Sequence, residues 1–210
     1  MLLNGRLQRD PETPVRVDLD RIEVEGLRVQ PAQEVYLIMN KPRAIVTTAA
    51  DEKGRDTVYS LLPAGMDWIA PVGRLDKASE GLLLLTNDSE WAARITDPES
   101  HLDKTYHVQV ACVADARLID ALLRGVEMPQ GDTLKAKTAT VLRTGEKNSW
   151  LQVVLDEGKN RQIRRMLDAL GVQVLRLIRV AIGPLPLGHL PKGAHRELTP
   201  AEKAILDRAL

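Results

Sequence analysis

An acid sits in a loop bracketed by glycines: Gly73-Arg74-Leu75-Asp76-Lys77-Ala78-Ser79-Glu80-Gly81, followed at once by Leu82 to Leu85 and Thr86. A carboxylate flanked by Arg74 and Lys77 can act as nucleophile or general base if it is held ionised and still. The plain alternative is that Arg74 and Asp76 merely satisfy each other. A second group of reactive types is the run Glu157-Gly158-Lys159-Asn160-Arg161-Gln162-Ile163-Arg164-Arg165-Met166. An arginine within about 4–6 Å of a carboxylate lowers its pKa by about 1–3 units, and Arg164 is the candidate partner for Asp76. Its competing role is a surface pair with Asp168, worth only about 0.3–0.5 kcal/mol. Tyr106, two residues after Lys104, reads by itself as a sheet tyrosine with its hydroxyl at the surface, since tyrosine favours strands.

These groups need elements to position them. The four leucines after the acid form an unbroken apolar run bounded by turn residues, which reads as a buried strand, so one end of the loop is fixed to the core. Tyr36-Leu37-Ile38-Met39 reads as a second buried strand, stopped by Asn40-Lys41-Pro42 because proline cannot continue a ladder. Thr57 to Leu62 is a short helix ended by Pro63. Ser89 to Thr96 is a helix capped by Asn87 or Asp88 and closed by Asp97-Pro98. Tyr106 to Val113 and Trp150 to Leu155 read as strands, with a helix from Ala116 to Leu123 between them. Arg161 to Leu170 is the clearest helix: Ile163, Met166, Leu167 and Leu170 share one face, and Gly171 ends it. On that helix Arg161 and Arg165 point away from the apolar face, while Arg164 lies on its flank. Val174 to Val180 is a strand broken by Gly183-Pro184. Helices and strands interleave without a glycine-rich nucleotide loop, so an α+β domain on a mixed, mainly antiparallel sheet is expected.

The first residues form a separate small unit. Asn4-Gly5 marks a turn, and Asp20 to Glu25 alternates polar and apolar like a half-exposed strand, ended by Gly26. Domain limits of 1–31 and 34–210 follow. Among 210 residues, 29 bases balance 29 acids, which is unusual for a protein that binds nucleic acid. From Asp156 to Arg179, however, six bases (Lys159, Arg161, Arg164, Arg165, Arg176 and Arg179) face three acids, so a confined basic groove is expected. No apolar run approaches the ~20 residues of a membrane span, and no secretory signal opens the chain. The single cysteine, Cys112, excludes an internal disulfide framework and a cysteine zinc site. The four histidines have no ligand-like spacing. A cytoplasmic, monomeric protein without metal or cofactor is the expectation.

Four stretches, in order, resemble the pseudouridine synthases, in particular the branch that modifies bacterial ribosomal RNA of the small and large subunits. Gly73 to Thr86 is similar to that family's catalytic motif. Asn40-Lys41-Pro42 is similar to its opening motif, Lys104-Thr105-Tyr106 to its tyrosine motif, and Glu157 to Met166 to its basic motif. The match runs from about Val35 to the C-terminus. Relatives often carry glycine where Ala44 stands, which suggests a differently shaped turn here. The resemblance implies isomerisation of uridine: cleavage of C1′–N1, rotation of the base and rejoining through C5, with no oxidation or hydrolysis and no cofactor. It makes Asp76 the essential carboxylate, whether acting on the base, on C1′ or on a sugar proton. Tyr106 would stack on the flipped uracil, Arg164 would hold Asp76 ionised, and Leu177 would wall the pocket. Arg74, Lys77, Lys41, Lys104, Arg161 and Arg165 would contact RNA.

Residues 1–31 resemble the last hairpin of an S4 RNA-binding domain without its helices, expected to pack as extra strands on the catalytic domain. The expected partner is a structured stem-loop of ribosomal RNA, most similar to the large-subunit (23S) targets. Two other readings compete. A non-catalytic ribosome-assembly protein of the same fold fits less well, because Asp76, Tyr106 and Arg164 are all present. A metal-dependent nuclease would need clustered carboxylates, and Asp76 with Glu80 is a poor cluster.

Overall fold

In a computed structural model of the chain, residues 1–16, 19–29, 33–48, 54–66, 68–129 and 131–210 are described. The chain divides into two compact units, Met1–Glu34 and Val35–Leu210. The residues at 30–32, where the sequence places one boundary, lie outside the described set.

The small unit is a four-stranded antiparallel sheet of β1 (Leu2–Leu3), β2 (Arg6–Leu7), β3 (Ile22–Val24) and β4 (Leu27–Val29), in the order β2-β1-β3-β4. Both hairpin turns use left-handed pairs, Asn4 and Gly5 at φ 52° and 79°, Glu25 and Gly26 at φ 53° and 77°, as a two-residue hairpin connection requires. These strands pair with one another as a sheet of their own.

The large unit is built on a nine-stranded sheet. Its elements run β5 (Tyr36–Lys41), a 3₁₀ turn (Val58–Leu61), β6 (Ala70–Val72), β7 (Glu80–Thr86), α1 (Ser89–Thr96), a second 3₁₀ turn (Pro98–Ser100), β8 (Lys104–Val110) and α2 (Ala116–Arg124). A short ladder of β9 (Val126–Glu127) and β10 (Thr133–Leu134) follows, then β11 (Thr138–Thr144), β12 (Ser149–Leu155), α3 (Gln162–Ala169), β13 (Val174–Ile182), β14 (Leu185–Pro186), β15 (His195–Glu197) and α4 (Pro200–Asp207). The main order is β11-β12-β8-β13-β7-β5-β15, with β14 on β13 and β6 on β7. Among the described strand pairs of this sheet only β13–β7 is parallel, so the mixed, mainly antiparallel α+β expectation holds.

The sheet carries apolar clusters on both faces. On one, α2 and α3 cover Val108, Val110, Leu151, Val153 and Leu177 with Leu122, Ile163, Met166 and Leu167. On the other, α1 and α4 cover Ile38, Leu82 and Leu84 with Trp91, Ile95 and Leu206. The third cluster, Leu37, Met39, Leu75, Leu83 and Leu85, lies under the acid-bearing loop. β7 is buried along its whole length, which explains the unbroken leucine run. At its second residue, Gly81 takes φ 103° and lies so close to the Arg179 backbone that a Cβ would overlap it. That glycine lets β13 dock on β7.

Capping residues set the helix ends. Asp88, one of two expected candidates, accepts from the Trp91 N–H at 2.9 Å. The sequence reading missed α4, although Thr199-Pro200-Ala201-Glu202 forms a complete capping box of the expected pattern. It also missed β11, whose exposed, alternating residues give little apolar signal for an edge strand.

Candidate active site

Asp76 lines an open cavity of about 470 Å³ together with Arg43, Ala44, Lys77, Ala78 and Arg161. The loop that carries it is tied down from three sides. Lys41, the last residue of β5, is fully buried, and its ammonium donates to the carbonyls of Pro42, Asp76 and Ser79 at 3.0, 3.2 and 3.0 Å. The Ala44 N–H donates to the Lys77 carbonyl at 2.8 Å. Arg164 Nη2 donates to the Ala78 carbonyl at 3.0 Å. On the loop's inner side the Thr47 hydroxyl bonds the Leu75 carbonyl at 2.8 Å.

Lys41 is therefore no phosphate contact. Three carbonyls take its three donors, and no solvent reaches it. Burial pulls its pKa down to about 8, against the charges of Asp76 and Glu80, which favour the cation. Sequence could not separate this lysine from an exposed one, because what buries it is β7, about forty residues downstream. Ala44 adopts φ 77°, a value that suits glycine. The turn thus has the glycine conformation even though the residue is alanine, at a cost of about 1 kcal/mol.

Of the arginines at α3, Arg161 and not Arg164 makes the direct ion pair with the Asp76 carboxylate. Arg161, at the helix N-cap with φ 49°, pairs with Asp76, its Nη1 3.7 Å from Oδ2. Both groups are partly exposed, 51% and 31%, so the pair contributes little by itself. Arg164 is the residue that grips the loop backbone. It is half-buried, and its Nε is buried with no acceptor among the described residues. Burial, then repulsion from Arg161, works against its charge, and Asp76 works for it. The competing surface pair with Asp168 is not formed among the described residues: Arg164 turns toward the loop instead.

Behind the loop, Glu80 begins β7 with a side chain only 4% exposed. Arg176 holds it with two bonds of 3.1 and 3.0 Å, and Lys192 adds a third cationic contact at 2.5 Å. Burial pushes this carboxyl up, but the hydrogen bonds from Arg176 and Lys192 outweigh it and hold the pKa below the usual range. The Asn40 backbone exchanges bonds with Ala194 and Gly193 at 2.9 and 2.8 Å, and its amide donates to Leu190 at 2.8 Å. The opening motif and the C-terminal loop thus brace the same corner.

Tyr106 lies on β8 opposite Val153 and Arg179 and packs against two clusters, one of which contains Leu75, the neighbour of Asp76. Lys104 is half-buried on the same strand. Leu177 is 6% exposed within the core under α2 and α3, so its side chain packs there. Arg74 and Lys77 are exposed on the loop and Arg165 is half-buried on α3. Arg43 was missed, although it directly follows the opening motif. Cys112 is half-buried, and burial, then Asp115, pushes its thiol up, consistent with an inert packing role.

Comparison with known proteins fits this geometry. The model of the RNA pseudouridylate synthase family matches residues 35–169. Ribosomal large subunit pseudouridine synthase B of Bacillus subtilis is 40% identical over 184 residues, covering 87% of this chain and 75% of the relative. Its namesake from Escherichia coli strain K12 is 40% identical over 209 residues, 95% of this chain and 68% of that protein. A crystal structure of a pseudouridylate synthase superposes over 98% of this chain and 87% of its own, at 29% identity and a TM-score of 0.74. Human RNA pseudouridylate synthase domain containing 1, at 15% identity and a TM-score of 0.52, shares the fold. With the family model spanning residues 35–169 and relatives at 40% identity covered over two thirds or more of their length, the chain belongs to the RNA pseudouridylate synthase family.

Proposed function

We propose that this chain converts one uridine of structured large-subunit (23S) ribosomal RNA to pseudouridine, with Asp76 as the essential carboxylate. The names of relatives at 40% identity support that RNA class. The observation that carries the catalytic assignment is the restraint of the Asp76 loop by Lys41, Ala44 and Arg164. A loop held this way keeps its carboxylate at the cavity without reorganisation during reaction.

Each role follows from position. A base inside a duplex is out of reach, so the target uridine must be flipped out at a cost of a few kcal/mol. Stacking on the Tyr106 ring returns about 1–3 kcal/mol. Arg43, Arg74, Lys77, Arg161 and Arg165 hold the flanking phosphates, while Arg164 fixes the loop. Because reactant and product are isomers, the chemistry calls for no redox group or metal. Residues 1–31 resemble an S4-like hairpin and take a minor share in binding. The enzyme works as a cytoplasmic monomer on a stem-loop.

The test is to map pseudouridine in ribosomal RNA from cells with and without the gene, and to repeat the reaction with purified protein and a large-subunit transcript in excess EDTA. Loss of one large-subunit pseudouridine, restored in vitro, is expected. An unchanged map would overturn the assignment.

A further inference from the structure

Arg179 is a buried cation with more donors than acceptors. It stands in β13 across from Tyr106 of β8 and beside Gly81 of β7, so its side chain leaves the sheet on the tyrosine's face. Here β13 and β7 part company. Their parallel ladder covers only Ile178 and Arg179 against Glu80 and Gly81, and β6 takes up β7 again from Leu84. The Leu82 carbonyl is left in that fork, and Arg179 Nε donates to it at 2.7 Å. Arg179 is 6% exposed, and its Nη2 is buried without an acceptor among the described residues. Leaving such a donor unmade costs about 1–3 kcal/mol or more, and a buried guanidinium cannot serve as a surface phosphate contact.

A second cation lies close by. Lys104 is two residues from Tyr106 on β8 and so shares its face. It is half-buried, and burial, then the charge of Arg179, lowers its pKa, while Asp103 and Asp156 act the other way. Lys41 approaches from β5, where Asp76 and Glu80 support its charge and Arg179 opposes it. Lys41 and Lys104 thus both lie within charge range of Arg179, and Lys41 has all three of its donors on backbone carbonyls, whereas Arg179 places only Nε on one.

We infer that Arg179 and Lys104 form a cationic floor beneath Tyr106 that stabilises the base as an anion between cleavage and rejoining. This rests on the pseudouridine synthase reading. When C1′–N1 breaks, its electron pair stays with the base, which leaves as the N1 anion with charge shared onto its two carbonyl oxygens. The anion turns, C5 forms the new bond to C1′, the C5 proton is released and N1 takes up a proton. Atoms and electrons balance without a co-reactant. Fixed cations in a water-poor site stabilise such transient charge far better than solvent-exposed ones. Arg43 and Arg161 line the open cavity and are left to hold the backbone.

The experiment compares wild type, Lys104→Met and Arg179→Lys in single turnovers at saturating RNA, with uridine or 5-fluorouridine at the target position. Fluorine makes the base a better leaving group, so it needs less help. Both variants are expected to slow consumption of uridine by about ten- to a hundredfold, with RNA affinity nearly unchanged, and the loss is expected to shrink about tenfold on 5-fluorouridine. Equal losses on the two substrates, or a change confined to the dissociation constant, would overturn the inference. If Arg179→Lys fails to fold, as judged by circular dichroism, Lys104→Met alone decides. Failure of the wild type to make pseudouridine at all would instead strike the underlying assignment.

Discussion

At the scale of single residues, the site separates charges that look alike in sequence. Asp76→Asn keeps shape and removes the anion, so fold and RNA affinity are expected to survive while isomerisation falls by at least about a thousandfold. Tritium release from C5-labelled uridine RNA measures this, and an active variant would contradict the role of Asp76. Arg164 and Arg161 are expected to differ in kind. Arg164→Met frees the Ala78 carbonyl and lets the loop drift, which lowers the single-turnover rate at saturating RNA. Arg161→Met removes an exposed pair worth under about 1 kcal/mol, so its main effect is weaker binding with a salt slope reduced by about one. Rates and salt-dependent affinities for both variants distinguish these outcomes, and a pure binding defect in Arg164→Met would disprove its placement role.

At the scale of elements, the turn after β5 holds two testable strains. Ala44 sits at φ 77°, where glycine has no Cβ penalty, so Ala44→Gly is expected to raise stability by about 0.5–1 kcal/mol in urea unfolding. Lys41 gives a pH signature. Its folded pKa is lowered to about 8 from 10.5, so between those values the unfolded chain binds a proton that the folded chain does not. Stability from this group is therefore greatest above pH 10.5 and is lost as pH falls through about 8. Subtracting the pH dependence of Lys41→Met from that of the wild type isolates it. The wild type is expected to gain on the order of 1–3 kcal/mol relative to the variant between pH 8 and 10. A flat difference would show that Lys41 is not desolvated.

At the scale of the whole molecule, the two ends of the chain are not equivalent. The first unit forms its own small sheet, whereas everything after Ala169 includes β13, which lies between β8 and β7 and carries Arg179. Removing residues 1–34 is expected to leave a folded enzyme that modifies the same uridine with an affinity within about tenfold, or ~1.4 kcal/mol. Ending the chain at Ala169 is expected to abolish cooperative unfolding, because no neighbour replaces a central strand. Circular dichroism, urea titration and pseudouridine mapping test both. A folded N-terminal truncation with altered target choice would make that unit a recognition element.

Sequence alone determined what local physics encodes. The leucine run of β7, the apolar face of α3, the Asp88 cap and the glycine turns depend on periodicity or on a residue's own φ/ψ preferences, so they were legible, as was the order of four motifs. The capping box of α4 is equally local, a Thr199–Glu202 pattern encoded in four consecutive residues. Tertiary structure decided the partners of each charge. Lys41 meets the Asp76 carbonyl 35 residues away, Arg164 meets Ala78 at 86, and Arg179 meets Leu82 at 97. An ammonium on a surface and one capping three buried carbonyls have the same side chain. Only the strand that covers it, brought from elsewhere in the chain, decides whether it meets phosphate, backbone or solvent.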